Sequence, residues 1–273
     1  MLALVRSPRI SINCLRVWKR VLGGNDLLTI IAPALVAGLM IATIHGPLGL
    51  EVLRRGIIFI DLAIAQIAGL CVVLVDLISH EASWPLRQVV AMGAALLAAW
   101  FFRNVEKRLP KEQEPIIGAC FVLAASAVLL VLANHPHGGE KMQDILSGQL
   151  LFVSWSEIAS FAPLYVAATA VWFAWPRARK GAWFFGIFAL VVTASVQFAG
   201  VYVVFASLIL PALAVNTMRS GRLYSAVLCG WAAVLIGTVL AVWSDMPVGP
   251  LIVFACAAVA VIARGVVALR TAE

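Results

Sequence analysis

The chain has 273 residues, of which 63% are hydrophobic and only 12% charged, with a mean hydropathy of +1.02. Soluble domains run about 45–50% apolar and about 25% charged, so too little polar surface is present to cover such a core, and a soluble globular fold is excluded. The net charge of +7 does not point to nucleic acid, because the basic residues sit between apolar runs, as in the Lys/Arg-rich cytoplasmic loops of membrane proteins.

Residues 1–26 hold Arg6, Arg9, Arg16, Lys19 and Arg20 among apolar residues. They contain no apolar core long enough for a cleavable signal and read as a basic amphipathic segment at the membrane surface. One transmembrane domain is expected over 27–273. A crossing helix takes about 20 mostly apolar residues, which predicts spans at 27–44, 56–79, 86–102, 116–134 and 158–175, a long apolar stretch at 182–217, and spans at 223–245 and 248–269. As one helix the stretch 182–217 would run roughly 54 Å, against a hydrocarbon layer of about 30 Å. It is therefore expected to hold two spans, broken near Gln197-Phe-Ala-Gly200. The expected fold is all-α: a polytopic helical membrane protein with eight or nine transmembrane helices.

Orientation follows from the basic residues. Alternate loops carry Arg54/Arg55, Arg103/Lys107/Arg108/Lys111, Arg177/Arg179/Lys180, Arg219/Arg222 and Arg264/Arg270, whereas the opposite side has only Arg87 and Lys141. The rich side is assigned to the cytoplasm. With nine crossings this puts the C-terminus inside and the N-terminus outside, where the basic N-terminal segment runs against the rule. The loop 135–157 is expected outside, with a break at Gly138-Gly139 and a short helix over Lys141–Leu151. The cysteines Cys14, Cys71, Cys120, Cys229 and Cys256 form no CxxC pair, so neither a thiolate zinc site nor a disulfide framework is suggested.

Asp61 is the residue with most to explain. A carboxylate in a span costs about 2.5–3.5 kcal/mol on insertion scales, so chains rarely keep one without a use. It serves either as a pore contact or as the partner of Arg54, seven residues back on the same helical face. Gln66 lies deeper, where an amide either lines a pathway or hydrogen-bonds a neighbouring helix. Glu51 is placed to pair with Arg54 and Arg55, or to meet an ion at the exit. On the external side His135, His137 and Glu140 offer metal-capable side chains for transient capture. Asp76 reads as an interfacial charge, His45 and His80 as single residues at span ends, and Gln197 as a candidate pore residue at the predicted break. On the family resemblance given next, the candidate metal-contacting set is Asp61, Gln66, Glu51, His135 and His137, transient or pore-lining.

Three pieces in order resemble the membrane permeases of bacterial zinc/manganese ABC importers, the ABC-3 family. They are Arg54-Arg55 followed by Phe59-Ile-Asp61, then Asp144-Ile-Leu-Ser-Gly148-Gln149 running into Val153-Ser-Trp155-Ser-Glu157, and Gly200-Val-Tyr-Val-Val-Phe-Ala-Ser-Leu-Ile-Leu-Pro211-Ala212. The resemblance implies a type II ABC importer-like permease in the bacterial plasma (inner) membrane, homodimeric, with a pore on the two-fold axis. It also implies two copies of a cytoplasmic ATP-binding subunit and an extracytoplasmic metal-binding protein. The cargo would be a divalent metal ion, zinc or manganese with iron behind, and no cofactor would be bound permanently. ATPase coupling would fall on the segment after the Pro-Ala ending, here Pro211, Ala212, Arg219 and Arg222. Consistently, the chain has no G-x-x-x-x-G-K-[ST] phosphate loop, so ATP hydrolysis must occur on another chain. Many members of the family carry Asp-x-x-x-His in the second span, and here position 65 is alanine. Gln66 is about 140° around a straight helix from Asp61, so the two converge only if the helix breaks. Rival readings are a cobalamin- or siderophore-type permease and an ATP-independent secondary transporter. A membrane enzyme is disfavoured, because no span brings close acid, histidine or cysteine residues onto one face.

Overall fold

The computed structural model describes residues 24–79, 82–133, 138–218 and 220–272. The basic residues of the N-terminal segment, His80, His135, His137 and Arg219 lie outside the described residues. The described chain is helical throughout: α1 (Gly24–Arg55), α2 (Ile60–Ser79), α3 (Trp84–Arg108), α4 (Gln113–Leu132), a short α5 (Gly138–Ser147), α6 (Trp155–Ala174), α7 (Gly181–Val215), α8 (Arg222–Ser244) and α9 (Val248–Ala272). Eight of these, all but α5, are long and apolar enough to cross a membrane.

α7 is the longest and most buried of them, and it is not one rod. Gly200, at φ 75° and ψ 165°, sits in a region open only to glycine and breaks the helix there. His45 of α1 shows how sharp the break is. Its Nδ1 lies 2.8 Å from Ser207 Oγ and its Nε2 3.1 Å from Ser195 Oγ. On a straight helix residues twelve apart stand about 18 Å from each other, too far for one imidazole to touch both. The arms 181–199 and 201–215 therefore fold back on each other, which makes nine long helical passes among the described residues. That is the reversal expected near Gln197–Gly200.

The clasp is fully satisfied. Ser207 Oγ donates to Val204 O at 3.1 Å, so it accepts from His45 Nδ1–H. His45 Nε2 is then the acceptor for Ser195 Oγ–H, and the Tyr165 hydroxyl donates to Ser195 at 2.7 Å. All four side chains are buried. A chain of donors running one way needs a neutral ring, which is also the least costly state for an imidazole in hydrocarbon surroundings.

The hairpin occupies the middle of the bundle. α2, α3 and α4 pack together on one side of it, and α1, α8 and α9 on the other. α5 reaches it through glycine. A Cβ on Gly148 would collide with the backbone of Ala199 and Gly200, and one on Gly200 would collide with Ser147 and Gly148. Two of the sequence motifs thus meet backbone to backbone, at the apex of the reversal.

Element boundaries differ from expectation mainly in α1. The sequence places its end near residue 44, yet the helix continues through Gly46, Pro47 and Gly49 to Arg55. Gly46 presses on Val227 and Gly49 on the Leu208 carbonyl, so close helix–helix packing compensates for the amide that Pro47 lacks. α6 starts at Trp155, before the expected 158, because Ser154 and Glu157 form a reciprocal capping box.

Candidate functional site

The site is built outward from the arginine-rich end of α1. Glu51, one turn before that end, accepts hydrogen bonds from Arg54 Nη2 and from Arg55 Nε, the latter at 2.8 Å. Arg55 also donates through Nη1 to Glu106 of α3 at 2.7 Å and through Nη2 to the Arg179 carbonyl at 3.1 Å. Its guanidinium stands 4.2 Å from the centre of the Phe184 ring in the first turn of α7. One planar group with five donors and a stacking face therefore ties α1 to α3, to the turn before α7 and to α7 itself. Glu51 is engaged by both arginines. Arg54, mostly exposed, pairs with Glu51 rather than with Asp61, so the ion-pair alternative for Asp61 is not the arrangement found.

After Arg55 the chain turns at Gly56, with φ of +69°, and enters α2 at Ile60. Asp61 lies in the first turn, 1% exposed, and neither carboxylate oxygen has a hydrogen-bond partner. The helix N-terminus favours a negative charge there, but it does not fill the carboxylate's acceptor sites. Close by, Glu114 in the first turn of α4 accepts the Phe59 amide at 3.2 Å through Oε1, and its Oε2 is buried without a partner. Glu114 did not stand out in the sequence. Its only signal was an acidic residue at the start of an apolar span, which is common.

Gln66 is equally buried, with an unpartnered Oε1. It borders a cavity of about 640 Å³ whose other walls include Leu62, Phe121, Phe205 and Phe254. Asp61 is not part of that wall. α2 runs unbroken from Ile60 to Ser79, so Asp61 and Gln66 are not brought together within the chain. Asp61 lies at the start of α2, where Glu114 holds the Phe59 amide, and Gln66 borders the cavity.

At the opposite end Asp76 pairs with Arg87 at 2.7 Å across the α2–α3 turn, as an interfacial charge should. Gln197, three residues before the break, exchanges two amide hydrogen bonds with Gln88 at 2.6 and 3.0 Å. Both line a second cavity of about 370 Å³, together with Arg87, Asp144 and Glu157. Among the described residues no three His, Cys, Asp or Glu side chains gather into one cluster. His135 and His137 fall outside this description.

At the foot of the second arm of α7, Pro211 and Ala212 are buried. The carbonyls just beyond them are held by arginines: Arg264 Nη1 donates to Leu213 O at 3.1 Å, and Arg222 Nη1 to Asn216 O at 3.5 Å. The turn after residue 215 is thus fixed at the arginine-rich end, the side assigned to the cytoplasm.

A central broken hairpin, nine crossings and an arginine-bound turn at its foot define a membrane-spanning transport subunit. The chain belongs to the ABC 3 transport family, whose model matches residues 28–177, and it is a multi-pass permease subunit of an ABC importer. Its fold is similar to that of a chain in PsaBC from Streptococcus pneumoniae, solved in complex with Fab. The TM-score is 0.69, over 93% of this chain and 95% of that one, at 16% sequence identity. No curated protein matches the sequence.

Proposed function

We propose that this permease carries a divalent transition metal ion, zinc or manganese, into the cytoplasm by alternating access. Two copies would form the pore in a bacterial inner membrane, powered by two cytoplasmic ATP-binding subunits and loaded by an extracytoplasmic metal-binding protein. The observation that carries this reading is Asp61, a carboxylate closed off from water inside a span with both oxygens unpartnered. Buried acceptors without donors are rare in stable folds and call for a missing partner. A cation in transit is such a partner. Closure of the ATPases would push on Pro211–Arg222, and the second arm of α7 would carry the displacement toward the Gly200 apex.

The test is metal uptake into vesicles that hold the permease with its ATP-binding partner. Asp61→Asn keeps the shape and removes the charge, and uptake is expected to fall while the assembly remains intact. Uptake at the wild-type rate would make Asp61 structural. Metal accumulation by the chain alone, down an ion gradient, would replace the ABC reading with a secondary carrier.

A further inference from the structure

We propose that Glu114 is the second protein ligand of the transported ion, so that Asp61 and Glu114 form an all-oxygen, two-carboxylate site suited to a hard divalent cation such as Mn²⁺ rather than to Zn²⁺. This rests on reading Asp61 as an ion contact. Glu114 anchors through one oxygen to the Phe59 amide at 3.2 Å, two residues before Asp61. Its other oxygen is buried and has no partner, and the same holds for both oxygens of Asp61. The Phe59 contact brings Glu114 to the start of α2, where Asp61 lies in the first turn.

Two carboxylates brought to the same partly buried helix start repel each other unless a cation or proton lies between them. Among the described residues none supplies that cation: Arg54 and Arg55 are committed to Glu51 and Glu106, and the remaining ion pair, Arg87–Asp76, lies at the far end of α2. That leaves three buried, unfilled carboxylate oxygens near the start of α2. Carboxylate oxygens without imidazole or thiolate select hard ions.

Glu114→Gln separates ligation from architecture, because the amide oxygen can still accept the Phe59 N–H. With the permease–ATPase complex in liposomes, Mn²⁺ and Zn²⁺ uptake are measured against concentration, beside the melting temperature. Glu114→Gln and Asp61→Asn are each expected to raise the half-saturating Mn²⁺ concentration by about 10- to 100-fold, at least the loss seen for outer-shell partners, with smaller changes for Zn²⁺ and no drop in melting temperature. The double variant should be little worse than the worse single one, since either change dismantles the same site. If Asp61→Asn is impaired but Glu114→Gln half-saturates with Mn²⁺ as the wild type does, Glu114 is no ligand and the reading of Asp61 stands. If both behave as wild type, both readings fall. If Glu114→Gln lowers melting temperature and slows both metals in proportion, Glu114 is a helix anchor and the inference is overturned.

Discussion

Arg54 and Arg55 are adjacent and identical in type, yet they do different work. Arg55 is largely buried and meets Glu51, Glu106, the Arg179 carbonyl and the Phe184 ring, whereas Arg54 is 65% exposed and meets only Glu51. Removing a guanidinium that neutralises two partly buried carboxylates costs about 3–5 kcal/mol, mostly because those carboxylates are left unpaired. Losing an exposed pair costs at most about 1 kcal/mol. Arg55→Ala is therefore expected to lower the thermal stability of the purified protein markedly and Arg54→Ala hardly at all. Arg55→Lys should resemble Arg55→Ala, since an ammonium cannot bridge Glu51, Glu106 and a carbonyl in one plane. A melting series of the three variants checks this, and equal shifts for Arg54→Ala and Arg55→Ala would contradict it. The pairing of Glu51 with the arginines was legible at three- and four-residue spacing on one helix. The approach of Glu114 to Asp61 was not, because it comes from a span 53 residues on and depends on how α4 packs against α2.

Among the elements, the hairpin of α7 depends on two glycines that belong to different segments. Alanine at Gly200 would need a backbone conformation costly to any residue with a Cβ, about 1–3 kcal/mol, before any collision with Ser147 and Gly148 is counted. Gly200→Ala and Gly148→Ala are both expected to give poorly assembled protein. Gly118→Ala, at a helical position with open space around it, should fold normally, as fluorescence size-exclusion profiles would show. His45→Ala removes the group that joins the two arms and leaves Ser195 and Ser207 short of a partner. A loss of about 1–3 kcal/mol follows from unsatisfied buried hydroxyls, and His45→Asn should recover part of it. The length of the apolar stretch made the reversal legible, and glycine marked its place. The clasp was not legible, because a lone histidine at a presumed span end says nothing about serines 150 and 162 positions away. The continuation of α1 through Pro47 was hidden for a similar reason. Local propensity argues for a break there, and only the packing of Gly46 and Gly49 against α8 and α7 overrules it.

For the whole molecule, the reversal decides sidedness. With nine crossings Ser220 and Ser83 face opposite sides of the membrane, whereas a straight α7 would make eight crossings and put both on the same side. In a background with all five cysteines replaced, single cysteines at these two positions answer the question. A membrane-impermeant maleimide should label Ser83→Cys in intact cells and Ser220→Cys only after the membrane is opened. Labelling of both in intact cells would return the chain to eight crossings.

The backbone contact between Gly148 and Gly200 has no side chain in it to yield. The helix that ends just before Gly148 lies on the side assigned outside, and the other end of the hairpin lies at the arginine-held turn on the side assigned inside. On the proposed function, the outer face is where a loaded binding protein docks and the inner turn is where the ATPase pushes. Linkage between two such sites is reciprocal: the factor by which docking shifts the nucleotide equilibrium is the factor by which nucleotide shifts docking affinity. A change that loosens the glycine contact without unfolding the bundle should therefore weaken both influences equally, leaving each partner able to bind and neither able to sense the other.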